Sequence, residues 1–340
     1  LTVDLVLCRA EGIYVDAVPN GVRVVDCAAA STPAWTRALT RYMAARPAPV
    51  MLAFMEGAGL VAVAARMLAR ARVRLVVSAR NMVSLHQAAQ PGFRQRVLFP
   101  LIARRLIPRA DGFIGISARV SDDFAAYFGV EPARVVTIHN PVVHAGVFAR
   151  ARERPDHPWL LEPHGRRPRT LVAAGRLTRQ KSFDTLLRAF ALAEPGVRDL
   201  RLVVFGEGED RGALENLAAE LGIGDRVSFP GFVQNPFAAF AAADLFVLSS
   251  SWEGFGNVLA EALACGCPVV STDCPSGPSE ILGGGRFGPL VPVEDPPALA
   301  AAILETLADP LPAGTLRARG AEFSVEASAT RYLAALGLAA

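Results

Sequence analysis

The segment 175–182 combines a flexible turn residue with three cations, Arg176, Arg179 and Lys181. It reads Gly-Arg-Leu-Thr-Arg-Gln-Lys-Ser and directly follows a short apolar run typical of a buried strand. Gly175 permits a sharp turn, while Arg176 and Lys181 offer a planar guanidinium and a compact ammonium, both of which bind phosphate oxygens. Lys181 is also the only lysine among the 35 Lys and Arg residues. A solvated basic loop at a helix start and a phosphate site at a strand end explain the segment equally well.

The segment 249–261 has a carboxylate on each side of a glycine-containing turn. It reads Ser-Ser-Ser-Trp-Glu-Gly-Phe-Gly-Asn-Val-Leu-Ala-Glu, and a helix is predicted to begin near Asn257. The two glycines allow the backbone close to a ligand, and the free N–H groups of a helix start favour an anion. Glu253 and Glu261 are too far apart to share a proton, but each suits the paired hydroxyls of a polyol. The alternative is a helix N-terminal charge and a surface glutamate.

A third glycine-rich turn, residues 205–212, resembles a dinucleotide-binding fingerprint. It reads Phe-Gly-Glu-Gly-Glu-Asp-Arg-Gly after a predicted strand. Its three acids would repel a pyrophosphate, and no acidic ribose partner follows at the required spacing. The sequence therefore disfavours NAD binding and predicts that Gly206 and Gly208 permit a tight turn lining the cleft.

Composition sets limits on the class of protein. A chain of 340 residues, 52% hydrophobic and 20% charged, predicts two folded domains and excludes general disorder. A net charge of +3 is too small to indicate nucleic-acid binding.

Five cysteines predict free thiols in a reducing compartment, hence a cytoplasmic protein. The cluster of Cys265, Cys267 and Cys274 favours a buried strand over a metal site. Neither a signal peptide nor a transmembrane helix is expected.

Short apolar runs alternate with helical patterns, which predicts an α/β fold of two Rossmann-like, doubly wound domains facing each other across a cleft. The predicted strands are 3–7, 22–25, 50–54, 75–78, 112–116, 135–138, 171–174, 202–205, 227–229, 245–248, 269–272 and 290–293. The predicted divisions are an acceptor-side domain at 1–148, a linker at 149–169, a donor domain at 170–320 and a C-terminal helix at 321–340. The linker histidines His157 and His164 are expected in solvent. Since nothing precedes the strand 3–7, the first βα unit of domain one is expected to be missing, which favours a truncated chain.

Taken together, these segments resemble the GT-B fold retaining glycosyltransferases of family 4, the glycosyl transferases group 1. The resemblance covers nearly the whole second half, and its order and spacing make it specific. The motifs that carry it are Gly-Arg-Leu at 175–177 with Lys181, Gly206-x-Gly208, Gly231-Phe232, Glu253-Gly254-Phe255-Gly256 with Glu261, Cys-Gly-Cys-Pro-Val-Val at 265–270 and Gly277-Pro278-Ser279-Glu280. The first half matches more loosely, through Gly115-Ile116-Ser117 and Ile138-His139-Asn140-Pro141.

The resemblance implies a UDP- or GDP-type sugar donor as co-substrate, with no cofactor and no metal, and a glycan, lipid-linked or small-molecule acceptor. Arg176 and Lys181 would neutralise the pyrophosphate leaving group, Glu261 would hold the ribose, and Glu253, the implied catalytic residue, would lie beside the transferring sugar. Backbone near Phe232 and Val233 would face the base, and N–H groups of residues 254–258 would face sugar and phosphate. The implied donor-binding residues are Arg176, Lys181, Gly206, Phe232, Val233, Glu253, Gly254, Phe255, Gly256, Asn257, Val258 and Glu261.

On the acceptor side, the expected residues are Arg80, Asn81, His139 and Asn140. Arg80 stands where many relatives carry a histidine, which, with the missing first unit, puts turnover of this chain in doubt. The basic, apolar stretch 94–109 is typical of an ordinary surface helix, and the alternative is peripheral contact with an anionic membrane. A binding-only protein, a sugar-nucleotide epimerase and a phosphorylase remain alternatives.

Overall fold

The computed structural model describes residues 2–12, 15–89, 92, 97–162 and 167–338. It divides into two compact units. Unit 1 comprises Leu1–Gly115, Ser121–Val136 and Ala334–Ala340, and unit 2 comprises Ile116–Val120 and Thr137–Leu333. Residues 137–148, which the sequence analysis assigned to the first domain, thus belong to unit 2. Val143 forms a bridge with Ser324 there, and its neighbour Val142 bonds to the Phe323 carbonyl.

Unit 1 contains a parallel pair of strands and a four-stranded sheet. The strands are β1 (Val3–Leu7), β2 (Val22–Asp26), β3 (Val50–Phe54), β4 (Arg74–Ala79), β5 (Gly112–Gly115) and β6 (Val135–Thr137). β1 pairs with β2, and the larger sheet has the order β3-β4-β5-β6. The helices are α1 (Thr32–Ala45), α2 (Glu56–Ala69), α3 (Val83–Ala89), α4 (Phe99–Leu106) and α5 (Ala118–Phe128), of which α5 begins in unit 2.

Unit 2 contains one six-stranded parallel sheet. Its strands are β7 (Arg169–Ala174), β8 (Leu200–Phe205), β9 (Val227–Gly231), β10 (Leu245–Leu248), β11 (Val269–Thr272) and β12 (Leu290–Val291). Its helices are α6 (Ala145–Arg150), α7 (Phe183–Ala193), α8 (Arg211–Glu220), α9 (Pro236–Ala242), α10 (Asn257–Cys265), α11 (Pro278–Ile281), α12 (Pro296–Ala308), α13 (Ala313–Ala321) and α14 (Val325–Leu336). α7 and α12 pack together over the sheet, burying Leu186, Phe190, Leu299 and Ile303 completely.

The strand order in unit 2 is β12-β11-β10-β7-β8-β9. From β7 the chain first winds outward through β8 and β9, then returns to the other side of β7 with β10. The loops that follow the adjacent strands β7 and β10 therefore leave the sheet in opposite directions. Open α/β sheets bind ligands at such a point, beside the carboxyl ends of the strands. The predicted α/β class and all twelve predicted strands are confirmed, with small differences at their ends.

The environment of the linker histidine His157 differs from the prediction. His157 is 7% exposed, its Nε2 lies 3.1 Å from the Ser228 hydroxyl, and burial lowers its pKa. The prediction that it lies in solvent is wrong because a short 3₁₀ turn, Pro158–Leu160, folds this segment back onto β9. His164 lies outside the described residues.

Candidate functional site

The loops after β7 and β10 are joined by hydrogen bonds. The Ser251 N–H donates to the Gln180 carbonyl at 2.9 Å, and the Gln180 side-chain amide donates to the Trp252 carbonyl, also at 2.9 Å. The Ser249 hydroxyl donates to the Lys181 carbonyl at 2.8 Å. These hydrogen bonds hold the two loops together. The first two predicted phosphate-binding segments therefore meet at the carboxyl ends of β7 and β10.

Lys181 and Glu253 form a buried ion pair between these loops. Lys181 Nζ lies 2.5 Å from Glu253 Oε1, and the two side chains are 16% and 8% exposed. The Ser250 hydroxyl donates to the same carboxylate oxygen at 2.7 Å. The lysine stem fits because a Cβ on Gly175 would lie 2.9 Å from Lys181 Cε. Arg176, next along the chain, is exposed.

The glycine turn after β8 supports the turn after β7. Gly206 has φ +136°, and a Cβ there would lie 1.9 Å from the Gly175 carbonyl oxygen. A Cβ on Gly208 would lie 2.2 Å from the Leu177 carbonyl oxygen, and the Leu177 N–H donates to the Glu207 carbonyl at 2.9 Å. The prediction of a tight turn is confirmed: both glycines are required for close backbone packing.

The segment 254–258 presents a row of backbone donors. Gly256 has φ +93° and precedes α10, which begins at the predicted Asn257. Within the part of the chain that the structure describes, the N–H groups of residues 254–258 have no hydrogen-bond partner. Unpaired donors at a helix start form a concentration of partial positive charge, which favours an anionic ligand.

The remaining predicted donor residues flank this segment. Glu261 lies one turn inside α10, and burial raises the pKa of its carboxyl to about 7. Phe232, just after β9, has a side chain that is 69% exposed and open to stacking, and Val233 follows it half-buried.

His139 and Asn140 lie in unit 2 beside the predicted donor residues. The Asn140 amide donates to Asn257 Oδ1 at 2.8 Å. The His139 ring stacks on Phe255 at 5.2 Å between centroids, and its Nε2 lies 2.9 Å from Glu280 Oε2. His139 and Asn140 lie in unit 2 because β6 ends at Thr137 and the chain that follows it packs with that unit. The other two expected acceptor-side residues, Arg80 and Asn81, lie in unit 1.

Sequence reasoning named Asn81 but missed several other buried polar groups. Among the described residues of unit 1, four buried side-chain oxygens have no hydrogen-bond partner: those of Glu56 (Oε2), Ser78, Asn81 (Oδ1) and Gln87 (Oε1). Glu56 was detectable in the sequence as an acid just after a predicted strand. Nothing in the pattern marked Ser250 or Ser276 as side chains that contact the site. Among the described residues, no group of three or more His, Cys, Asp and Glu side chains could hold a metal ion.

Known proteins match both parts of the chain. Residues 168–309 match the family model described as "Glycosyl transferases group 1", and residues 1–141 match the "Glycosyl transferase 4-like domain". The N-acetylgalactosamine-N,N'-diacetylbacillosaminyl-diphospho-undecaprenol 4-alpha-N-acetylgalactosaminyltransferase of Campylobacter jejuni is 33% identical over 190 residues, covering 56% of this chain and 49% of that protein. The lipopolysaccharide core biosynthesis glycosyltransferase LpsE of Rhizobium meliloti is 39% identical over 168 residues, or 48% of each chain. This chain spans about half the length of these curated relatives.

Solved structures show the same architecture. Anabaena HepE in complex with UDP and glucose superposes with a TM-score of 0.77 at 20% identity, covering 98% of this chain and 91% of that one. The structural matches show that the chain has the fold of GT-B glycosyltransferases, as predicted, and the two family models match its two halves. Residues 168–309 are thus similar to the glycosyl transferases group 1, and residues 1–141 are similar to the 4-like domain.

Proposed function

We propose that this chain is a retaining, metal-independent glycosyltransferase that moves a sugar from a UDP- or GDP-type donor to a glycan, lipid-linked or small-molecule acceptor. The observation that carries the proposal is the position of the Lys181–Glu253 pair beside the unpaired N–H groups of residues 254–258. A sugar diphosphate needs a cation and backbone donors for its phosphate oxygens and a carboxylate for its sugar hydroxyls. All three lie together at the carboxyl ends of β7 and β10. HepE, a structural relative with the same fold, is described with UDP and glucose bound.

Each group has a separate task in this proposal. Breaking the bond between the anomeric carbon and the diphosphate oxygen places negative charge on the leaving group. Lys181, Arg176 and the N–H groups of 254–258 stabilise that charge in place of a metal ion. Glu253 accepts hydrogen bonds from the transferring sugar, Glu261 from the ribose, and Phe232 and Val233 lie against the base.

The acceptor is proposed to bind through unit 1. The four oxygens that lack a partner among its described residues include those of Glu56 and Ser78, which are 3% and 0% exposed. Buried acceptor atoms without partners are costly, so their presence here makes this part of unit 1 the candidate region for an acceptor rich in hydroxyl groups. The cation of Arg80, placed over the Phe54 ring at 5.5 Å, and the nearby Asn81 complete this acceptor side, while His139 and Asn140 support the donor side.

The decisive experiment is a thermal-shift screen of UDP-, GDP- and ADP-sugars, followed by acceptor-dependent release of nucleoside diphosphate in EDTA. We expect stabilisation by one donor class, release that requires an acceptor and is insensitive to EDTA, and a product whose anomeric configuration matches the donor by NMR. Donor isomerisation without an acceptor would instead indicate an epimerase. Binding without release on any glycan or lipid-linked acceptor would leave a binding-only protein.

Donor affinity should depend on pH through Glu261. Since burial raises its pKa to about 7, the carboxyl is mostly protonated at pH 6 and mostly ionised at pH 8. The ionised form accepts the ribose hydroxyls, so affinity for the tightest sugar nucleotide of the screen should rise by up to about tenfold over that range. Folding stability changes in the opposite direction: the unfolded carboxyl, with its ordinary pKa of 4.5, ionises more readily, so stability falls as pH rises from 4.5 to 7.

Isothermal titration calorimetry at pH 6, 7 and 8 measures this pH dependence. Sugar nucleotides suit the test because their diphosphate does not titrate in this range. The Glu261→Gln variant serves as control and should bind weakly with a flat profile. An equally flat wild-type profile would remove Glu261 from the ribose site.

We also propose peripheral contact with an anionic membrane at the cytoplasmic face, through α4. Leu98, Leu101 and Ile102 are 49%, 60% and 42% exposed, and Arg104 and Arg105 follow in the last turn of the helix. Apolar side chains beside cations are the pattern that anionic lipid surfaces bind. Arg94 and Arg96, part of the predicted basic stretch, lie outside the described residues. No helix among the described residues is both long and apolar enough to cross a bilayer.

Co-sedimentation with vesicles containing phosphatidylglycerol at low salt measures this contact. The wild type should pellet with the vesicles, and Leu101→Asp should lower the bound fraction several-fold. Leu192→Asp is the matched control, because Leu192 is 56% exposed on α7 of unit 2 and should have no effect. Absence of wild-type binding at low salt contradicts the membrane proposal.

A further inference from the structure

The peptide between Gly254 and Phe255 is held in one direction by the Ser276 hydroxyl, which in turn contacts the Ser117 hydroxyl. The Gly254 carbonyl accepts a hydrogen bond from Ser276 Oγ, and Ser117 Oγ lies 3.4 Å away from the same oxygen. In a planar trans peptide, the carbonyl and the N–H point in opposite directions. Holding the Gly254 carbonyl toward the serines therefore directs the Phe255 N–H away from them, within the row of unpaired donors at 254–258.

The hydroxyls form a directed chain of hydrogen bonds. The Val120 N–H donates to Ser117 Oγ at 3.2 Å, and Ser117 Oγ lies 2.8 Å from Ser276 Oγ. Because the Ser276 hydroxyl has one hydrogen and donates it to Gly254, Ser117 is the donor in the bond between the serines. Successive bonds of this kind polarise one another, which strengthens the final bond to the carbonyl.

The backbone of Ser276 is strained, which indicates that its hydroxyl is needed. Ser276 has φ +98° and is fully buried. Glycine adopts this left-handed conformation without steric cost, whereas serine does not. The turn at Ser276 also packs closely against residues 254–258. A Cβ on the next residue, Gly277, would lie 1.9 Å from the Phe255 carbonyl oxygen.

We propose that Ser276, oriented by Ser117, is a positioning residue that aims the Phe255 N–H at a diphosphate oxygen of the donor. This inference rests on the proposed function and assigns a task to Ser117, a residue from the far half of the chain. The serines touch no substrate; they act by fixing one peptide plane before the ligand arrives, so that no reorganisation is needed on binding.

The test compares Ser276→Gly, Ser117→Ala and Ser117→Thr with the wild type. Ser276→Gly removes both the strain and the hydroxyl, so we expect an unchanged or higher melting temperature together with about tenfold weaker binding of pyrophosphate and of UDP. Ser117→Ala should weaken binding less, Ser117→Thr should restore it, and the double variant Ser276→Gly/Ser117→Ala should match Ser276→Gly alone. In turnover assays, the loss should appear in the KM for the donor and leave the KM for the acceptor unchanged.

Ser271→Ala is the matched control. Ser271 is a fully buried serine of the same unit whose hydroxyl donates to the Thr272 carbonyl, so its loss should leave pyrophosphate affinity unchanged. A purely structural role of Ser276 predicts that affinity and melting temperature fall together. Wild-type affinity in Ser276→Gly, or an equal loss in Ser271→Ala, would overturn the proposal.

A ligand-free measurement separates this inference from the proposed function. Labelling glycine with ¹³C at the carbonyl and phenylalanine with ¹⁵N selects the Gly-Phe pairs of the chain, including Gly254–Phe255. The Phe255 amide resonance should move in Ser276→Gly and Ser117→Ala and stay in place in Ser271→Ala. If the wild type bound neither pyrophosphate nor UDP, the proposed function would fail, whereas an unmoved resonance would refute the role of the serines.

Discussion

Gly206→Ala is expected to lower the free energy of unfolding by at least about 3 kcal/mol and to abolish sugar-nucleotide binding. The new methyl group would lie 1.9 Å from the Gly175 carbonyl oxygen, at a φ of +136°. An alanine tolerates neither the conformation nor the contact, so the turn after β7 must move. That turn holds Arg176 and, against Gly175, the stem of Lys181, so displacement removes both cations from the proposed diphosphate site.

Gly212→Ala is the control for this substitution. Gly212 lies six residues on, in the first turn of α8, where an added Cβ meets nothing within 4 Å. The control should bind donor normally and gain about 0.5 kcal/mol, since alanine loses less backbone entropy than glycine in a helix. Urea unfolding and a titration with UDP measure both effects. Equal midpoints for the two variants would show that the contact between the turns has no energetic importance.

Removing the Lys181 charge should produce the second large effect. Lys181→Met keeps the apolar stem but leaves Glu253, 7% exposed, without its cation. Breaking a buried ion pair on one side costs about 3 kcal/mol, because the remaining charge stays desolvated. Lys181→Met/Glu253→Gln should recover most of this stability, yet it should not recover donor binding, because the phosphate has lost its cation.

Two further variants complete this test. Arg9→Met removes one partner of the exposed pair Arg9–Glu11, 3.8 Å apart, and should leave the unfolding midpoint unchanged. Lys181→Arg keeps the charge but replaces a compact ammonium with a rigid planar fork, so we expect it to stabilise Glu253 without restoring donor affinity. Wild-type affinity in Lys181→Arg would mean that the single lysine has no special role, and unchanged affinity in Lys181→Met would remove it from the site.

The sequence was informative wherever a local pattern determines the structure. Apolar runs predicted every strand, and the turn residues predicted the helix start at Asn257 and the close turn at Gly206. These features depend on neighbours in the chain, so a short window contains the necessary information.

The sequence was uninformative wherever partners are distant in the chain or an orientation had to be known. Ser117 and Ser276 are 159 residues apart, and His139 and Glu280 are 141 apart. No local spacing shows that such side chains meet. The same limit applies to the boundary between the units: the chain passes to unit 2 at Thr137, so His139 and Asn140 belong to that unit, and the boundary leaves no mark in composition.

The burial of Lys181 also has a practical consequence for proteolysis. A lysine-specific endoprotease finds one cleavage point in this sequence, after Lys181, and that side chain is only 16% exposed and bonded to Glu253. Cleavage therefore requires the loop to open, and when opening and closing are fast, the cutting rate reports the population of the open form. The rate of cleavage after Lys181 therefore measures how often the loop at the proposed donor site opens. A ligand that protects the loop lowers this rate, and the measurement needs neither a label nor an activity assay.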